Sequence, residues 1–149
     1  MPDDAAANIF RPSDAEYEAR VRENFGRQRV MQLLGATLSR VEPGAVDILL
    51  PYHADLTQQD GYLHAGIITT VADSACGYAA YTLMPAGSNV LSVEFKVNLL
   101  RPASGDTFAA QARVLKAGAT LTVTRCDIHG RTGNQSKLVA MMLATMIRR

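Results

Sequence analysis

The chain has 149 residues, a length typical of one globular domain. Hydrophobic residues make up 48% of it and charged residues 19%, a balance that excludes an intrinsically disordered protein. The formal net charge is +1 and no basic run is present, so we expect no nucleic-acid partner.

The N-terminal segment, residues 1–12, is predicted to be flexible and to precede a single domain formed by residues 13–149. It lacks the basic region and long apolar run of a secretory signal. The longest apolar stretch, Leu138 to Ile147, has about half of the roughly 20 residues that a membrane-spanning helix needs. We therefore expect a cytoplasmic protein with no membrane partner.

The first predicted elements are a short helix and a hairpin. Ser13 is a candidate N-cap for an amphipathic helix that ends near Gly26, because apolar residues recur every four positions between them. Residues 36–41 and 46–51 are rich in apolar side chains and flank the turn-forming sequence 42–44. This pattern predicts a β-hairpin.

The segment from His64 to Met84 has the pattern of a buried helix. Two rows of small or apolar residues repeat every four positions, and most of the remaining positions are small or uncharged. Asp73 is the only charged residue of this helix. Pro85 and Gly87 follow and are expected to end it.

Beyond Gly87 the apolar period changes from four to two, which predicts strands. The strands are residues 91–99, 107–115, 120–128 and the nearly all-apolar 138–147. Because the linkers are short, we expect an antiparallel meander and an α+β fold with the sheet curved around one helix. Such a sheet leaves long edges and an open face, so we expect a homo-oligomer, a dimer that can pair further into a tetramer.

Asp73 is the first candidate for chemistry, because a carboxylate in a buried helix is costly to ionise without hydrogen bonds or water. Taken alone, it fits a structural hydrogen bond to a nearby loop as well as it fits catalysis. The polar loop 58–66 leads into the same helix, whose first N–H groups are unpaired and favour negative charge. The helix start is therefore a candidate oxyanion hole.

The spacing of several motifs in this region is informative. The sequence contains Gln58, Gly61, the run Leu63-His64-Ala65-Gly66 and, nine residues after His64, Ala72-Asp73. These residues resemble the hotdog-fold acyl-CoA thioesterases of the phenylacetate-pathway (PaaI-like) type. The resemblance continues through Ser92-Val93, Asn98, Arg101-Pro102 and residues 115–121, and covers nearly everything from Leu34 to the C-terminus. It implies a long central helix wrapped by a curved antiparallel sheet, here with an additional N-terminal helix.

The resemblance also implies a role for each matching residue. Asp73 is the expected carboxylate, as nucleophile or as general base toward water, and the N–H of Ala65 is the expected oxyanion donor. Most relatives have glycine at that position, so the alanine Cβ narrows the approach or demands a different backbone angle. Gln58 is expected to orient water or the carbonyl, and His64 to hold the loop. Ser92 either holds the nucleophilic water or is an ordinary strand hydroxyl.

The substrate implied by the resemblance is an acyl-CoA with an aryl, phenylacetyl-like or medium-chain acyl group. Gly66 is a candidate substrate contact. Arg101 and Lys116, at opposite ends of strands predicted to be adjacent, are candidates for binding the phosphates of coenzyme A. Coenzyme A is part of the substrate, and we expect no separate cofactor.

Other chemistries have weaker support in the sequence. His53, His64 and His129 have no metal-binding spacing among themselves or with the cysteines, so we expect no metal. Cys76 and Cys126 are expected to be reduced core residues.

Two alternatives to a thioesterase share the same fold. A non-catalytic acyl-CoA-binding protein would keep the groove without needing an ionised Asp73. A hotdog dehydratase or hydratase would need a catalytic histidine paired with a carboxylate across the groove. His64 offers the histidine, but the surrounding pattern does not match.

Overall fold

The computed structural model describes residues 9–149, so most of the segment predicted to be flexible, residues 1–8, lies outside the described residues. The elements within this range are α1 (Tyr17–Arg27), α2 (Arg29–Leu34), β1 (Thr37–Glu42), β2 (Ala45–Pro51), α3 (Ala65–Tyr81), β3 (Val90–Leu99), β4 (Thr107–Ala117), β5 (Leu121–Thr132) and β6 (Gln135–Arg148). One 3-10 turn, Ala54–Leu56, lies between β2 and α3. No helix within residues 9–149 is long and apolar enough to cross a bilayer.

All six strands form one curved antiparallel sheet in the order β1-β2-β4-β5-β6-β3. The central helix α3 packs across one face of it and contacts β2, β3, β4, β5 and β6. Four of the nine buried positions of α3 are alanine, which lets helix and sheet approach closely around fully buried strand residues such as Ile48, Ile128 and Met142. The predicted α+β architecture, the hairpin β1–β2 and the meander β4–β5–β6 are confirmed.

The predicted position of β3 is wrong. β3 pairs with β6 at the edge of the sheet and not with β4, its neighbour in sequence. β3 and β4 lie three strand spacings apart, about 14 Å, and the seven-residue connection 100–106 can span about 23 Å when extended. The connection runs over the end of β6, where the N–H groups of Leu100 and Arg101 both donate to the carbonyl of Val139. A short linker therefore did not require the two strands to be neighbours.

The N-terminal helix begins later than predicted. α1 starts at Tyr17 and not after Ser13, because the Ser13 hydroxyl donates to the carbonyl of Leu83 (2.9 Å) instead of capping the helix. The apolar stretch that follows α1 forms a second short helix, α2, which ends at Gly35 with a φ of +70°. Only glycine adopts this left-handed conformation readily, and it turns the chain into β1.

The central helix is shorter than predicted and ends at Tyr81 instead of Met84. The guanidinium of Arg20 on α1 covers this end: it donates to the carbonyls of Met84 (2.7 Å) and Pro85 (3.1 Å) and lies 4.5 Å from the centre of the Tyr81 ring. Its Nε lies 3.1 Å from the carboxylate of Asp14. These two carbonyls lie just beyond the last residue of α3, so the cation holds the turn that follows the helix and fixes α1 to it.

Candidate active site

Two cavities beside α3, one at its start and one at its middle, contain candidate site residues. The first, which we call the Ala65 cavity, has a volume of about 490 Å³ and is lined mainly by apolar side chains together with Gln58 and Arg101. The second, which we call the Asp73 cavity, has a volume of about 130 Å³ and contains both Asp73 and Ser92. The structure thus places the expected site residues in two groups.

The start of α3 carries one free amide. His64 is the N-cap, and its Nδ1 accepts a hydrogen bond from the N–H of Gly66 (2.8 Å), so that amide is not available to a substrate. The N–H of Ala65 has no hydrogen-bond partner among residues 9–149. A Cβ at Gly66 would lie 3.1 Å from His64 Nδ1, which explains why glycine fits at this position. His64 therefore holds the local backbone and leaves the Ala65 amide as the oxyanion donor candidate.

Alanine fits the position at which relatives carry glycine without backbone strain. Within residues 9–149, no residue other than glycine has a positive φ, and Ala65 is the first residue of a regular helix. Of the two expected effects of the alanine, the structure therefore favours a narrower approach. The Ala65 methyl group lies at the wall of its cavity, so its effect there is to occupy space.

Gln58 closes the loop that precedes α3. Its Oε1 accepts from the N–H groups of Asp60 (2.6 Å) and Tyr62 (3.3 Å), and its backbone pairs with Tyr62 and Gly61. The side chain also lines the Ala65 cavity. Because its oxygen is already bonded within the loop, the contact observed for Gln58 is with the loop backbone.

The two candidate coenzyme A cations lie far apart. Arg101 lines the Ala65 cavity and donates to the carbonyl of Leu138 (2.8 Å). Lys116 is exposed near the other end of β4, at an irregularity of its pairing with β5, and lines neither cavity. The expected placement on adjacent strands is wrong, because β5 and β6 separate β4 from β3.

Asp73 and Ser92 form the shortest side-chain pair at the site. Ser92 Oγ donates to Asp73 Oδ1 over 2.6 Å, the length of a charge-assisted hydrogen bond. Ser92 lies on β3 at the point where its register with β6 shifts, and Asp73 is half-buried on α3. The carboxylate is thus not enclosed in apolar surroundings, as its buried helix had suggested, but opens on a polar cavity.

The rest of the polar lining of the Asp73 cavity comes from residues that sequence reasoning missed as site residues. Tyr78 donates its hydroxyl to Asn24 Oδ1 (3.0 Å), and Ser74 donates its hydroxyl to Gln28 Oε1 (2.9 Å). Burial raises the pKa of Tyr78 to about 12, so the phenol stays protonated and remains a donor. The sequence could have indicated Asn24 and Gln28 through their four-residue spacing, because two amide side chains so spaced lie on one side of a helical segment and can line the same cavity.

Ala65 and Asp73 cannot act on one carbonyl within a single copy of the chain. They are eight residues apart on one helix, which separates them by about 12 Å along its axis. A reacting carbonyl has to lie about 3 Å from both the nucleophile and the oxyanion donor. One copy therefore holds the candidate carboxylate and the candidate oxyanion donor at different places.

The histidines, cysteines and carboxylates of residues 9–149 form no metal-binding cluster, and the two cysteines are not placed to act as nucleophiles. Residues 9–149 contain no group of three or more His, Cys, Asp or Glu that could hold a metal ion. Cys76 and Cys126 are free and fully buried, as predicted. Burial raises the pKa of the Cys126 thiol well above its ordinary value, which disfavours the reactive thiolate.

Comparison with known proteins gives consistent similarities. Residues 60–137, just over half of the chain, match the family described as the thioesterase superfamily. Human acyl-coenzyme A thioesterase 13 is 30% identical over 105 residues, which cover 70% of this chain and 73% of that protein. A thioesterase family protein from Silicibacter pomeroyi is 48% identical with a TM-score of 0.87, over 89% of this chain and 97% of that one. The E. coli PaaI protein, from the phenylacetic acid degradation operon, shares the fold at 21% identity and a TM-score of 0.81, over 90% and 94% of the two chains.

Proposed function

Because the chain belongs to the thioesterase superfamily and is a thioester hydrolase, we propose that its substrate is an acyl-CoA and that Asp73 is its catalytic carboxylate. The acyl group is aryl, phenylacetyl-like or medium-chain, and the products are the free acid and coenzyme A. The observation that carries the proposal is the 2.6 Å hydrogen bond from Ser92 to Asp73 at the wall of an accessible polar cavity.

This hydrogen bond favours a carboxylate that is fixed in position and still able to react. Ser92 uses its only hydrogen on Asp73 Oδ1, so Asp73 Oδ2 and the lone pairs of the Ser92 oxygen remain as acceptors. A water bound between these two acceptors has its protons held and its lone pair free for attack on the thioester carbonyl. The same free oxygen of Asp73 is also the atom that would attack directly. In the first route a water proton passes to Asp73 and then to the departing thiolate of coenzyme A as the C–S bond breaks. In the second route the C–S bond breaks to leave an acyl anhydride on Asp73, and water then hydrolyses this anhydride, which releases the free acid, restores Asp73 and supplies the proton for the thiolate.

The oxyanion donor comes from a second copy of the chain. The separation of about 12 Å within one copy places the Ala65 amide too far from Asp73, whereas a partner helix can supply that amide across an interface. The edge strand β3, which carries Ser92, also presents exposed apolar side chains that an isolated chain would leave in water. These side chains are Leu91, Val93, Phe95 and Leu99. A two-fold pair of copies would then contain two equivalent sites.

Substitution of Asp73 tests the catalytic assignment. Asp73→Asn keeps the shape and an oxygen for the Ser92 hydroxyl but removes the charge, so kcat should fall by about 100-fold to 10,000-fold with a small change in KM. Asp55→Asn removes a carboxylate whose side chain is 89% exposed on the preceding loop and should retain wild-type kcat. Release of free thiol from an acyl-CoA panel measures both. Turnover by Asp73→Asn at the wild-type rate would refute the assignment. Binding of acyl-CoA by the wild type without any turnover would favour the non-catalytic alternative.

A mixture of two inactive variants tests the shared site. Ala65→Pro removes only the donor amide, and Asp73→Asn only the charge. In a mixed dimer with shared sites, one site carries both defects and the other carries neither. Co-expression with random pairing should therefore restore about one quarter of wild-type activity. A site contained within one copy would give no restoration, which would contradict the shared arrangement.

A further inference from the structure

The first residue of α3 carries two groups that point the same way. In a residue with a helical φ of about −63°, the N–H bond and the Cα–Cβ bond are nearly eclipsed, and both lean toward the start of the helix. Ala65 is that first residue, and its N–H has no hydrogen-bond partner among residues 9–149. The amide proposed as the oxyanion donor therefore has its own methyl group directly beside it.

The distance from this methyl group to a bound carbonyl follows from bond geometry. An oxyanion lies about 2.9 Å from the nitrogen that donates to it. With ordinary bond lengths and an eclipsed N–H, that oxygen is then about 3.6 Å from the Cβ of Ala65, which is van der Waals contact. The carbonyl carbon and the atoms bonded to it are only one or two bonds from this oxygen. The group that stabilises the oxyanion therefore also sets the space beside the carbonyl.

The backbone that carries the methyl group is fixed on both sides. The N–H of Gly66 donates to Nδ1 of His64 (2.8 Å), and the N–H of Ile68 donates to the carbonyl of His64 (3.2 Å). The hydroxyl of Thr69 donates to the carbonyl of Ala65 (2.8 Å). Ala65 and Ile68 are three residues apart, so they share one side of α3, and both line the Ala65 cavity. Ile68 is 2% exposed, so the wall next to the methyl group is packed and cannot retreat from a bulky substrate.

Only one of the two atoms bonded to the thioester carbonyl differs in bulk between substrates. The sulfur is the same in every acyl-CoA and carries no branch. The first carbon of the acyl chain carries two hydrogens in a straight chain and further carbon atoms in a branched one. A fixed methyl group in contact with the carbonyl leaves room for a CH2 group there and overlaps with a branch.

We propose that the methyl group of Ala65 selects acyl groups that are unbranched at the carbon next to the thioester carbonyl. This inference rests on the proposed function, because it requires an acyl-CoA whose carbonyl oxygen binds the N–H of Ala65. It adds a second role for Ala65, as a specificity-determining residue. Phenylacetyl groups and straight medium chains have a CH2 group at this carbon and are accepted, whereas acyl groups with a branch at this carbon are rejected.

Three acyl groups of the same formula test the selection. Hexanoyl is straight, 4-methylpentanoyl is branched far from the carbonyl, and 2-ethylbutanoyl is branched next to it. The wild-type kcat/KM should be similar for the first two acyl-CoAs and lowest for 2-ethylbutanoyl-CoA. Because a branch beside a carbonyl also slows hydrolysis without any enzyme, the deciding quantity is the branching ratio. We define it as kcat/KM for 4-methylpentanoyl-CoA divided by kcat/KM for 2-ethylbutanoyl-CoA, and compare it between variants.

Two substitutions of Ala65 should move the branching ratio in opposite directions. Ala65→Gly removes the methyl group and keeps the N–H, and one methyl group in a packed site changes specificity by about tenfold to 200-fold, so the ratio should fall by that factor. Ala65→Ser keeps the N–H and adds one atom to the methyl group, so the ratio should rise. Each ratio is measured within one preparation and does not depend on the folded fraction of the variant. Ala54→Gly makes the same change at an exposed residue outside the Ala65 cavity and should keep the wild-type ratio.

The outcomes separate this inference from the function on which it rests. A wild-type branching ratio in Ala65→Gly would overturn the inference, and so would a ratio that moves in the same direction in the glycine and serine variants. No hydrolysis of any acyl-CoA by the wild type would instead reject the proposed function itself.

Discussion

Replacement of Ala65 by proline isolates the contribution of one amide hydrogen. Proline lacks the backbone N–H, and the first position of a helix is where its absence costs no intrahelical hydrogen bond. The preceding residue, His64, has a φ of −60° and a ψ of 138°, the extended conformation that a residue before proline prefers. The cap between His64 and Gly66 does not use the amide that is removed. The change therefore deletes the proposed oxyanion donor and leaves the helix start in place.

The expected magnitudes follow from this geometry. Loss of one oxyanion donor lowers kcat by about 100-fold to 1,000-fold, equivalent to about 3–4 kcal/mol of transition-state stabilisation. The free energy of unfolding should change by less than about 1 kcal/mol, and in the stabilising direction, because proline restricts the unfolded chain at a compatible position. A large loss of activity without loss of stability is the signature that separates this role from a structural one.

The assay combines thioester hydrolysis with thermal unfolding of the same preparation. Ala54→Pro is the matched control, because Ala54 also begins a helical turn, follows a residue with extended backbone (φ −143°, ψ 132°) and is exposed. It should retain wild-type kcat. If Ala65→Pro also retained wild-type kcat while remaining folded, the Ala65 amide would not be the oxyanion donor.

Three further predictions concern stability and reactivity. Arg20→Ala should lower the free energy of unfolding by about 2–3 kcal/mol in denaturant titrations, and Arg20→Lys should recover less than half, since only a planar guanidinium reaches both carbonyls and the Tyr81 ring. Burial raises the pKa of Asp47 above its ordinary value of 3.8, so the native protein resists ionisation of this carboxyl and the free energy of unfolding falls as the pH rises through that value and above it. Asp47→Asn cannot ionise, so its free energy of unfolding relative to that of wild type should increase from acidic to neutral pH. Buried Cys76 and Cys126 should resist a thiol reagent at pH 8 in the native protein and both react after denaturation.

Helices and strands could be predicted wherever the apolar residues of a segment repeat with a single clear period. The four-residue repeat around Asp73 and the two-residue repeat of β3 identified a central helix and a long strand, because helices and strands place neighbouring side chains at different periods. The ends of these elements were not predictable in the same way. Arg20, some 60 residues before the end of α3, binds the carbonyls of Met84 and Pro85 just beyond it, and no local pattern contains this contact.

The candidate residues of the proposed site could be named from the sequence, but their hydrogen-bond partners could not. A carboxylate at position 73 and an amide at position 65 follow from the sequence and its resemblance. The Ser92 hydrogen bond depends on β3 lying beside β6, which the short linker did not indicate. Gln58 was expected to face the substrate, yet its oxygen binds the N–H groups of Asp60 and Tyr62. Side-chain hydrogen bonds of this kind are decided by loop geometry that propensity does not specify.

The spacing that identifies the motif also carries information about assembly. Nine residues from His64 to Asp73 are unremarkable as a sequence distance, but on a rigid helix they fix the start and the carboxylate about 13 Å apart. No side-chain rotation removes that separation, because an aspartate reaches only a few ångströms from its backbone. A single helix can therefore carry both groups of a hydrolytic site only if they serve two different sites. Two copies related by a two-fold axis would satisfy this requirement with one interface, in which the carboxylate of each helix would meet the amide of the other.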